Sequence, residues 1–90
     1  MKTLLVCYNL KMHDDYAVFY ETLESYDHCW AMDQHCLIKT NNRAETVRNR
    51  LIPCIGRNDS VMICCFNTDW SGIDYEAETW LRSTNITKKI

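Results

Sequence analysis

Two dipeptides in this chain repeat a pair of metal-ligating residues, His28-Cys29 and His35-Cys36, seven positions apart. Imidazole and thiolate are the donors that tetrahedral zinc sites use. Neighbours on a strand point to opposite sheet faces, however, so these four side chains do not converge easily. The same alternation separates His from Cys in either pair and argues against a Cys–His nucleophile. The other cysteines are Cys7, Cys54, Cys64 and Cys65. Most of the six lie in apolar runs, where a reduced thiol packs as a small hydrophobe. Cys64-Cys65 reads as core packing rather than a redox pair.

A second set of residues fits phosphate chemistry. Asn9, Lys11, His13, Lys39, Arg43 and Arg48 fall at strand ends or helix starts, where backbone amides can also meet an anion. Tyr8, Trp30 and Trp70 offer ring faces on which a base can stack. The competing reading leaves the charges solvated and puts the aromatics in a core or an interface. Asp14 and Asp15 follow the first apolar run and read first as helix-start residues, whose carboxylates cap exposed amides.

Length and composition bound these chemistries. Ninety residues make one small domain over 1–90, with 83–90 expected as a frayed tail. Hydrophobic residues at 47% beside 24% charged residues exclude a disordered linker. Ten basic against twelve acidic side chains give −2, without the basic excess that long-duplex binding uses. No apolar run is long enough to span a bilayer, and Met1 to Leu10 alternates rather than following a signal-peptide layout. The expectation is a cytoplasmic protein with no membrane partner.

The elements follow from periodicity. Thr3 to Leu10 predicts a strand. Tyr16, Phe19, Tyr20, Leu23 and Tyr26 predict an amphipathic helix over 16–25. Cys29 to Met32 and Cys36 to Lys39 predict a hairpin turning at Asp33-Gln34. In that register Trp30 faces Leu37 and His28 faces Lys39, which leaves both faces apolar and predicts that a second copy covers the second face. Asn42 and Glu45 suggest a capping box for a helix with Ala44, Val47 and Leu51 buried, ended by Pro53. Val61 to Phe66 predicts a central strand, and 76–81 a short last helix. Right-handed crossovers convert this order into an α+β, ferredoxin-like split βαβ: one antiparallel sheet with helices on one face.

With these residues in order, the chain resembles the short SinR-like proteins similar to the small CRISPR-associated spacer-acquisition protein, the second of the two universal ones. The likeness is carried by Tyr8-Asn9-Leu10, the tyrosine-rich 16–26 segment, Trp30, Leu37-Ile38-Lys39-Thr40, Ala44-Glu45-Thr46-Val47-Arg48 and Asp69-Trp70-Ser71-Gly72. It covers residues 3–82. The resemblance implies a homodimer with sheets facing each other and contact with a nucleotide or short nucleic acid. Relatives, including VapD-type toxins, imply metal-dependent nuclease activity through an aspartate at the end of the first strand. Here that position is Asn9, a neutral ligand poorly suited to Mg²⁺ or Mn²⁺.

The resulting expectation is a non-catalytic, dimeric binding protein without cofactor, holding a phosphate-bearing ligand through Tyr8, Asn9, Lys11, His13, Trp30, Lys39, Arg43, Arg48 and Trp70. Sequestration of a signalling nucleotide by a bacteriophage counter-defence protein is one concrete form. The first alternative is a metal-dependent endonuclease using Asp14 or Asp15 with Mg²⁺ or Mn²⁺. The second is an interaction module that docks on a host protein.

Overall fold

The computed structural model describes residues 1–11, 15–67, 69–73 and 75–82. Strand β1 (Lys2–Asn9) leads to helix α1 (Ala17–Glu24), then to the hairpin β2 (Asp27–Trp30) and β3 (His35–Thr40). Helix α2 (Ala44–Leu51), a 3₁₀ turn (Ile52–Cys54) and β4 (Ser60–Phe66) follow. Residues 78–82 are helical again. The four strands form one sheet in the order β2-β3-β1-β4, each neighbouring pair antiparallel.

Alternation along β1 and β3 gives the sheet two apolar faces. Leu4, Val6, Cys36 and Ile38 point to one face, where they pack on Phe19 and Leu23 of α1 and Val47 and Leu51 of α2. This is the main core, and every one of these side chains is essentially inaccessible. Leu5, Cys29, Leu37 and Phe66 point the other way. The chain covers that face with its own last segment, which brings Trp70, Tyr75, Ala77, Trp80 and Leu81 onto it. Apolar sheet surface left in water would cost roughly 25 cal/mol per Å², which is why a two-faced sheet must find a second cover.

Several sequence expectations are corrected here. The hairpin pairs Trp30 with Cys36, Cys29 with Leu37 and His28 with Ile38, one residue away from the expected register. Its loop is Met32-Asp33-Gln34, closed by Ala31 N–H donating to the His35 carbonyl, with Gln34 in the left-handed region at φ 55°. Two-residue hairpin loops want primed turns and a glycine, which Asp33-Gln34 lacks, so the chain takes the three-residue form. A one-residue slip exchanges the faces. Trp30 and His28 therefore join the helix-covered side, and Cys29 the other.

The capping box does not form. Arg43 occupies the N-cap of α2 without a side-chain bond, while Asn42 takes its N–H to Thr40 Oγ1 and its amide to the Tyr26 hydroxyl. Strand β4 lies at the sheet edge, not the centre. Cys64 and Cys65 are accordingly exposed rather than packed in a core. Helical structure is not confined to one face, because the 78–82 turn lies with the second cluster. The cover expected from a second copy is thus supplied, over much of that face, by the chain itself. Among the described residues no helix is long and apolar enough to cross a membrane.

Candidate functional site

The residues proposed from sequence do not meet at one place. Tyr8 and Trp30 sit on the helix side, joined edge-to-face through Tyr20 with ring centroids 6.3 and 5.7 Å from it. Burial pushes the Tyr8 hydroxyl up to about 12. Trp70 belongs to the opposite face, 6.1 Å from Phe66. Lys39 is also on that face, half-buried, with Nζ 4.3 Å from the Trp80 ring and 3.9 Å from an Asp27 carboxylate oxygen. Its charge is occupied within the fold.

Arg48 lies exposed on α2, 3.6 Å from Glu45 and donating to Asn49 Oδ1. Arg43 is exposed at the start of the same helix, and Asn9 and Lys11 are exposed at the end of β1. His13 and Asp14 lie outside the described residues. Asp15 accepts a hydrogen bond from the Ala17 N–H at 2.9 Å, the helix-start role its position suggested. Among the described residues, no three His, Cys, Asp or Glu side chains converge where they could hold a metal ion.

The two His-Cys pairs separate as strand alternation requires. His28 Nδ1 donates to the Tyr26 carbonyl at 2.9 Å. Burial raises the Cys7 and Cys29 thiols and pushes Cys36 up to about 12, which keeps them protonated and unreactive at neutral pH.

A concave site on the second face holds only some of the residues expected from sequence. A groove of about 360 Å³ opens between the second sheet face and the segment that covers it, lined by Met32, His35, Phe66, Trp70, Ser71, Gly72, Ile73 and Tyr75. At its polar end His35 Nε2 and the Tyr75 hydroxyl share a hydrogen bond of 2.6 Å. Desolvation lowers His35 and raises Tyr75, so both are neutral near pH 7. Gly72 lets the chain turn against Tyr75, since a Cβ there would stand 3.1 Å from Tyr75 Cβ. The rim is apolar and open, with Ile73 96% and Met32 60% exposed. The Arg82 guanidinium stands 5.7 Å from the Trp70 ring while bonded to Glu78 at 2.9 Å.

Of these residues Trp70 was expected to bind ligand, and His35 was weighed as a zinc ligand and as half of a Cys–His pair. Tyr75, Phe66, Met32 and Ile73 were missed. The available signal was the apolar spacing Trp70, Tyr75, Ala77, Trp80, Leu81, which marks a segment that must lie on something. A neutral, mostly apolar cleft with a few convergent polar atoms has the chemistry of a binding site for a planar, weakly polar group. No protein-family model, no curated protein and no solved structure matches this chain.

Proposed function

We propose that this chain is a non-catalytic binding protein on a ferredoxin-like fold, which takes the base of a nucleotide or short RNA in the groove between its sheet and its C-terminal segment. The observation that carries this reading is the groove itself: an indole and a phenyl ring beside a neutral His–Tyr pair. In this reading the base stacks on Trp70 and its polar edge meets His35, Tyr75 or Ser71. A phosphate attached to it points outward to Arg82, which shares its charge with Glu78. Sequestration, rather than turnover, suits a site whose titratable groups are held neutral.

Equilibrium dialysis against mononucleotides, cyclic dinucleotides and short RNA, with Mg²⁺ or with EDTA, tests the proposal. Ligand should be retained intact in both buffers. Base–aromatic stacking is worth about 1–3 kcal/mol, so Trp70→Ala should weaken binding by roughly five- to 150-fold. Arg43→Ala/Arg48→Ala should bind as the wild type does. Loss of binding in that double variant with Trp70→Ala unaffected would move the site to α2. Shortened RNA only with Mg²⁺ would instead make the chain a nuclease.

A further inference from the structure

The two edges of the sheet are built differently. Strand β2 has four residues, including Asp27 and His28, and short charged edges resist the addition of another strand. Strand β4 runs Ser-Val-Met-Ile-Cys-Cys-Phe over seven residues, with no charge, proline or glycine. Its inner side pairs with β1 along its whole length. Among the described residues nothing pairs with its outer side, so a row of backbone donors and acceptors faces outward. Such an edge is a template for another strand.

What flanks the edge indicates which strand. Helix α2 lies beside β4, and Ala44, Glu45 and Arg48 border a shallow depression of about 250 Å³ with Val61 and Ile63. Glu45 and Arg48 are both exposed, one helical turn apart and opposite in sign. A strongly acidic or basic partner would meet a like charge at one of them. A copy of the same surface, turned about a twofold axis, sets each acid against the other copy's base.

We propose that a second copy of this chain adds its β4 antiparallel to this one, about an axis near Ile63, so that one sheet runs through both copies. Full overlap then sets Ser60 against Phe66, Val61 against Cys65 and Met62 against Cys64. Glu45 of each copy faces Arg48 of the other across the seam, above the depression that Val61 and Ile63 floor. This edge-to-edge contact differs from a face-to-face dimer, because the second face keeps its own C-terminal cover. It also leaves the ligand groove open and stands independently of what binds there.

Sedimentation velocity of the full chain, in reductant so that Cys64 and Cys65 cannot couple, tests this. The wild type should sediment as a dimer that dissociates on dilution. Glu45→Arg and Arg48→Glu are surface changes that should leave the circular dichroism spectrum unchanged. Each should weaken self-association about tenfold or more, because two like-charge contacts replace two opposite ones. Mixing the two variants should restore a tight heterodimer, and E45R/R48E in one chain should restore the homodimer. A wild type that stays monomeric at its solubility limit would overturn the proposal. So would charge variants that associate like the wild type, or a mixture no tighter than its components.

Discussion

His35 shows how a single side chain changes meaning with its surroundings. On paper it is half of a metal-like pair; in the fold it is the neutral hydrogen-bond partner of Tyr75, set where the C-terminal segment crosses the sheet. Burial lowers its pKa below the ordinary value of 6.5, whereas the unfolded chain titrates near that value. The unfolded state then binds more protons as the pH falls through 6.5, and stability drops with it. Urea unfolding at a series of pH values should show this loss on the acid side in the wild type. His35→Phe should have a flatter profile, and equal slopes in the two proteins would contradict the assignment. Asp59 is a second residue whose work shows only in three dimensions. Its carboxylate accepts from the Lys11 and Gly56 N–H groups and from the Tyr16 hydroxyl, tying the turn before β4 to the chain entering α1.

At the scale of elements, the strands and both main helices were legible because their apolar spacing is regular. Phe19 with Leu23 and Val47 with Leu51 are each four apart, and all four are buried as the helical period requires. What the sequence did not disclose was pairing. Val61 to Phe66 has the composition of a buried strand, yet edge or centre is decided by partners far away in the chain, not by its own residues. The hairpin register turned on one residue, Gln34, whose left-handed backbone no local rule anticipates for glutamine. That conformation costs a non-glycine residue about 1 kcal/mol, so Gln34→Gly should raise the unfolding free energy by up to about 1 kcal/mol in urea titrations. A marked loss of stability instead would mean that the Gln34 side chain, not the loop geometry, holds the hairpin. The candidate groove was legible only at Trp70, because its other walls belong to strands and segments that meet through that same register.

For the whole molecule, the decisive feature is that one chain covers both faces of its own sheet. The α1/α2 layer and the 69–82 segment act as two covers over a shared middle formed by β1 and β3. Leu81 is 3% exposed and anchors the second cover against Leu37. Leu81→Ala should destabilise the protein by about 2–5 kcal/mol, the usual effect of emptying a buried leucine site. It should also weaken nucleotide retention, since the groove is walled by the segment that Leu81 anchors. Urea titration and dialysis of the same variant check both. Ligand affinity unchanged despite the stability loss would separate the groove from the cover.

That arrangement imposes an order on biosynthesis. The central strand β1 leaves the ribosome before both of its neighbours and finds them only when β3 and then β4 emerge, and the residues that seal the second face come after all of them. Until the stretch beyond Phe66 is free, a nascent sheet presents Leu5, Cys29, Leu37 and Phe66 to solvent, and exposed surfaces of this kind promote aggregation and recruit chaperones. A chain cut short just before Trp70 and released would therefore carry a nearly finished sheet with one side bare.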